Sequence, residues 1–163
     1  MHAAVLGCLS LVVAATALTG SGSLTPHIRV SAVDVLLAGV GPGGALSSGL
    51  TGELENEGWA AFTLTGVSAD VPGLRLIPED ELTVEGGKTR TFSGRVVVTD
   101  CAAVPREPRS IRFTYRTWLW SGSVEVIPDS WRLPGTSGEP VPVAWQRGVA
   151  VEMCNRAVSS DWS

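Results

Sequence analysis

The chain has 163 residues, with 16 acidic against 12 basic side chains and a net charge of −4. No basic stripe runs along it, so it is poorly suited to nucleic acid or to an anionic membrane surface. Its 19 Gly and 10 Pro exceed what a helical protein tolerates and suit short strands joined by turns.

Met1 to Ile28 carries no Asp, Glu, Lys or Arg, and Ala3 to Leu18 (AAVLGCLSLVVAATAL) is nearly all apolar. As a helix this run reaches about 24 Å, short of a bilayer core of about 30 Å but longer than a usual signal-peptide core. Residues 1–20 therefore read as a signal peptide or a signal-anchor helix. Ala15-Thr16-Ala17 fits the small-x-small pattern of signal-peptidase cleavage. No basic residue precedes the run, and a start upstream of Met1 is one reading of that gap. Val5-Leu6-Gly7-Cys8 resembles a lipobox, but the apolar run continues past Cys8, so this cysteine reads as one more small apolar residue. Residues 21–27 read as a linker.

From Ile28 the chain reads as strands almost throughout. Ile28 to Leu37 alternates as Ile28, Val30, Ala32 and then shifts phase to Val33, Val35, Leu37, the mark of a β-bulge. Gly39 to Gly44 is a loop. Leu50 to Asn56 alternates again, and Asn56-Glu57-Gly58 turns the chain. Trp59 to Val67 and Leu74 to Ile77 are strands around an Asp70–Gly73 turn. Leu82 to Val84 leads into Gly86-Gly87-Lys88, a hairpin-like turn. Arg90 to Thr99 has the strongest β propensity, and Ala102 to Pro108 is a Pro-containing connection. Ser110 to Trp120 alternates as one strand, with Ile111, Phe113, Tyr115, Thr117 and Leu119 on one face and Arg112, Thr114, Arg116, Trp118 and Trp120 on the other. Val124 to Ile127 is a strand and Leu133 to Val141 a loop. Val143 to Cys154 fits a strand or a short helix, and its β-branched content with the preceding Pro142 favours strand.

Seven to nine short strands at this spacing predict an all-β fold, an immunoglobulin-like Greek-key β-sandwich over residues 28–158 after the N-terminal apolar leader helix. Residues 159–163 are a C-terminal tail, and a closed barrel is the alternative architecture. Leu54-Glu55-Asn56-Glu57-Gly58, Thr99-Asp100-Cys101 at the end of a Val-rich strand, and a second cysteine near the C-terminus resemble exported actinobacterial proteins with Ig-like domains. The resemblance implies a fold and an extracytoplasmic address, not an activity. Abundant Ala, Gly and Val, with Arg far outnumbering the single lysine Lys88, match the bias of a GC-rich genome.

Beyond the leader the only cysteines are Cys101 and Cys154. They lack the Cys-x-x-Cys spacing of a redox-active pair, and exported chains oxidise their thiols, so a structural disulfide is favoured over free buried thiols. Closing a loop of this size is worth roughly 4 kcal/mol in the chain-entropy view.

A catalytic site is hard to assemble. The two histidines, His2 and His27, lie in the leader and the linker, which removes a Ser-His-Asp or Cys-His arrangement and starves a zinc site. Lys88 sits in a glycine turn. No P-loop or dinucleotide fingerprint is present. Glu53 with Glu55, and Glu79-Asp80-Glu81, read as a solvated strand face and a solvated loop. A Ca²⁺ site of Glu79–Glu81 with Asp100 lacks the usual ligand spacing. The expected protein is therefore not an enzyme and has no catalytic residues, cofactor or metal.

The aromatic set is the one feature that suits a site. Trp118 and Trp120, beside Arg112 and Arg116, would form a flat platform for a sugar ring or a protein partner if exposed, or a rim of the core if a neighbouring loop covers them. The expected function is a non-enzymatic extracytoplasmic binding or interaction module of the cell envelope, secreted or anchored to the cell membrane. Its partner would be a protein or a cell-envelope glycan, and it would meet the membrane only through an uncleaved leader. The alternative is a structural or accessory domain of a membrane complex, tethered by the N-terminal helix.

Overall fold

The computed structural model of the protein describes residues 26–40, 45–135 and 137–160. The expected leader, Cys8, most of the linker and the last three tail residues lie outside these. In chain order the elements are β1 (Ile28–Val40), β2 (Leu46–Asn56), β3 (Phe62–Ser68), β4 (Leu74–Pro78), β5 (Leu82–Val84), β6 (Thr89–Val98), β7 (Ile111–Arg116), β8 (Ser121–Val126), β9 (Trp131–Pro134), β10 (Pro140–Val143) and a helix α1 (Trp145–Ser160). The protein is built mainly of antiparallel sheets. One four-stranded sheet has the order β1-β2-β6-β4, a second has the order β5-β3-β7-β8, and β9 pairs with β10.

The period-2 patterning sorts the strand faces. In β7, Ile111, Phe113 and Tyr115 are buried while Arg112, Thr114 and Arg116 are exposed. In β6, Phe92, Val96 and Val98 are buried, and in β2 Leu50 and Leu54. These side chains and their counterparts on β3 and β4 join one core cluster. Phe92 of the first sheet meets Phe113 of the second edge-on at 5.8 Å between ring centres, so the core lies between the two sheets. The β1–β2 register slips between Val30 and Ala32, where the apolar phase of the sequence shifts, and again between Val35 and Ala38. Val30, Val33 and Val35 are all buried as a result.

Several local readings change. Val143 to Cys154 is not a strand: α1 begins at Trp145 and buries Trp145, Val149, Ala150 and Met153. That spacing is one helical stripe, and burying it outweighs the weak strand preference of Val149 and Val151. The helix therefore occupies the end of the region assigned to the sandwich and continues to Ser160, into the residues assigned to the tail. It packs on β1, β2 and β9. Its first turn is tied down by side chains: Trp145 Nε1 donates to the Arg109 carbonyl at 2.7 Å, and Gln146 Nε2 to those of Glu107 at 2.6 Å and Pro105 at 3.3 Å. Gly148 lets the Trp131 ring lie against the helix, since a Cβ there would stand 2.6 Å from ring carbons.

The Gly86-Gly87 turn is real, with Gly87 at φ +66°, but it does not close a hairpin. Its flanking strands β5 and β6 belong to different sheets. Part of the expected loop at Leu133 to Val141 belongs to the β9–β10 pair. Cys101 and Cys154 are joined in a disulfide, linking the turn after β6 to α1 rather than to a last strand. No helix among the described residues is long and apolar enough to cross a membrane.

Candidate functional site

The strand expected over Ser110 to Trp120 stops at Arg116. Thr117 breaks it. Its hydroxyl accepts from the backbone amides of Trp120 at 3.1 Å and Leu119 at 3.3 Å and donates to the Trp120 carbonyl at 3.0 Å, while its own amide donates to that carbonyl at 2.8 Å. This local side-chain bonding competes with the strand ladder and forms the tip of the β7–β8 hairpin. Trp118 projects from the tip and is 80% exposed. Trp120 is half-buried and packs against the core. The two indoles thus do not share a strand face.

A second exposed indole stands at the same end of the sheet. Trp59 is 66% exposed and precedes β3, which begins at Phe62 rather than at Trp59. Its backbone is fixed from both sides. Buried Asn56 donates to the Ala60 carbonyl at 2.8 Å and accepts from the Gly58 amide at 3.0 Å. From the other side Gly87 donates to the Gly58 carbonyl at 3.0 Å. Gly86 presses on the Trp59 carbonyl, where any Cβ would fall at 2.1 Å.

Trp59 and Trp118 line one open cleft of about 520 Å³ with Phe62, Thr63, Thr83 and Arg116. The pairing register explains the assembly. Thr63 lies opposite Thr83 on β5 and opposite Arg116 on β7, so the three form a row across the sheet. The two threonine hydroxyls are 3.0 Å apart. Arg116 Nη2 donates to Glu81 Oε2 at 3.4 Å.

Arg112 lies elsewhere. Its Nη2 donates to Glu125 Oε1 at 2.6 Å and its Nε to the same oxygen at 3.2 Å, and both residues line a separate polar depression with Ser68, Asp70, Arg109 and Ser110. The hydrogen bond from Arg112, then that from Ser110, then the charge of Arg112 hold the Glu125 carboxyl below the ordinary carboxylate range. Of the four residues the sequence singles out, the structure brings Arg116 and Trp118 together and leaves Arg112 and Trp120 apart from them. The sequence reading does not single out Trp59, Thr63 or Thr83, and it places Glu81 in a solvated loop rather than beside Arg116. The signal for Trp59 was its place directly after the Asn-Glu-Gly turn, but only the sheet topology shows that this turn and the β7–β8 tip lie together.

The carboxylates are largely engaged. Glu55 pairs with Arg29 at 3.7 Å, and Ser31 Oγ donates to Glu53 at 3.3 Å. Asp100 Oδ1 accepts from the amides of Ala102 and Ala103, capping the turn that carries Cys101. Among the described residues no group of three or more His, Cys, Asp and Glu side chains is placed to hold a metal ion.

No family model matches the chain, and no curated protein matches it. Among solved structures it is similar to a FixG-related protein from Vibrio parahaemolyticus, at 12% identity over 58% of this chain and 91% of that one, with a TM-score of 0.31. A likeness of that degree assigns neither fold nor function.

Proposed function

We propose that the protein is a non-enzymatic extracytoplasmic binding module of the cell envelope, built on an Ig-like Greek-key sandwich, with its binding surface at the Trp59–Trp118 cleft. The observation that carries this reading is the exposure of two indoles on one cleft, 66% for Trp59 and 80% for Trp118. Large side chains held open to solvent on hydrogen-bonded turns contribute nothing to the core and are suited to contact a partner without loss of backbone freedom. The strand orders β1-β2-β6-β4 and β5-β3-β7-β8 resemble the two sheets of an Ig-like domain, and such domains bind through loops at the ends of their sheets. The disulfide is compatible with an oxidising compartment, and the apolar leader read from the sequence supports the same address.

Retention of the purified domain on an isolated cell-envelope fraction tests the reading. The wild type should be retained, and the Trp59→Ala/Trp118→Ala variant should wash off while keeping its melting temperature. Equal retention of both proteins would remove the cleft from the function.

A further inference from the structure

We infer that the Trp59–Trp118 cleft takes a neutral saccharide chain, an assignment that rests on the binding reading above and narrows it to one ligand class. The two indoles supply faces that carry the negative lobe of the ring quadrupole. The axial C–H bonds of a pyranose are weakly positive and line the faces of the sugar ring, while its hydroxyls lie mostly around the edge, so a ring face suits an indole face. A sugar differs from an apolar peptide side chain in needing hydrogen bonds around its edge at the same time. The floor of the cleft offers them. Thr63 and Thr83 place two hydroxyls 3.0 Å apart; one donates to the other, which leaves one hydrogen and the open lone pairs for a ligand. Arg116 adds donors beside them.

Charge narrows the class further. Arg116 is the only charged residue among the described residues lining the cleft, and Glu81 stands 3.4 Å from its guanidinium. The pair leaves no uncompensated cation to attract a phosphate, a sulfate or an acidic sugar, and no free carboxylate to attract a basic peptide. A net-neutral, hydroxyl-rich ligand complements that pattern. The cleft, of about 520 Å³, is within the usual size of small-ligand sites and is open rather than enclosed, which suits a section of a chain better than a buried monosaccharide. The backbone carrying both indoles is held by fixed turns, and the threonine row by strand register, so the frame of the surface is organised before binding.

The test is isothermal titration of the intact disulfide-bonded domain with neutral hexasaccharides, namely maltohexaose, cellohexaose, mannohexaose and chitohexaose, with hexagalacturonate as the anionic control. At least one neutral probe should bind, with an affinity little changed between low and moderate salt. Trp118→Ala and Trp59→Ala should each weaken it at least tenfold, and Thr63→Val severalfold, with melting temperatures unchanged for the two exposed indoles. Failure of all four neutral probes, binding of hexagalacturonate alone, or binding that survives Trp118→Ala overturns the assignment. The envelope-retention experiment separates the two levels of the proposal. Retention that needs Trp118 but resists competition by every neutral probe makes the partner an envelope protein, which overturns the saccharide and keeps the binding module. Absence of both retention and saccharide binding overturns both.

Discussion

Asn56 joins more of the molecule than any neighbouring side chain. It is fully buried at the end of β2, donates to the carbonyls of Ala60 and Val84 and accepts from the Gly58 amide. Its backbone also meets Lys88 and Gly87, so one residue holds the turn that carries Trp59 against the Gly86-Gly87 turn. Asn56→Leu would leave these buried polar groups unpaired, and we expect a loss of about 2–4 kcal/mol in urea denaturation together with weakened ligand retention. A variant of wild-type stability would show that these bonds are replaced by water. Glu125 gives a second residue-level expectation. Its folded pKa is lowered by Arg112 and Ser110, so its contribution to stability is present above the unfolded carboxylate pKa and is lost as the pH falls through the folded one. An NMR titration should place Glu125 below the ordinary glutamate range, and Arg112→Met should bring it back up. Because the pair is exposed, the gain in stability is small.

At the scale of elements, α1 is the piece whose attachment is least evident from its own sequence. Its first turn carries no acidic residue of its own to favour the N-terminal end of the helix dipole. It is held instead by packing of Trp145, Val149 and Met153, by the bonds of Trp145 and Gln146 to the 105–109 connection, and by the disulfide. Arg147 Nη1 adds a bond to the Cys101 carbonyl at 3.1 Å, next to the covalent link. The cysteines are 53 residues apart, and the chain-entropy view assigns such a crosslink roughly 4 kcal/mol. The Cys101→Ser/Cys154→Ser variant should therefore unfold at a clearly lower urea concentration while still docking its helix in the native state. A drop in helical circular dichroism without denaturant would instead show that the crosslink alone holds α1. The Val content of this segment favours a strand, whereas the spacing of Trp145, Val149, Ala150 and Met153 marks one face of a helix, and burial of that face decides between them.

For the molecule as a whole, stability and the proposed function reside in different aromatic residues. Phe113 is fully buried and meets Phe92 across the two sheets, whereas Trp118 is mostly in solvent. Phe113→Ala should cost about 3–5 kcal/mol in equilibrium unfolding. Trp118→Ala should change stability by no more than about 0.5 kcal/mol, and its effect should fall on binding. A large destabilisation by Trp118→Ala would make that indole part of the core. Successive strands from β2 to β7 alternate between the two sheets, so pairings such as β2–β6 and β3–β7 join segments far apart in sequence and folding should be slow for this size, in milliseconds to seconds by stopped-flow fluorescence.

Local chemistry was legible along the chain. The bulge in β1 shows as a phase shift, the inward face of β7 as strict alternation, and the turn at Gly86-Gly87 as paired glycines, because strand faces and turns follow from steric rules over a few residues. The same sequence named Arg116 and Trp118 but grouped them with Arg112 and Trp120 by strand periodicity. That grouping dissolved where the Thr117 hydroxyl ended the strand. Tertiary contacts alone set which sheet each strand joins, and bring Trp59 and Thr83 from distant segments to stand beside Trp118. Those outcomes depend on burial shared between segments remote in sequence, and no local pattern carries that information.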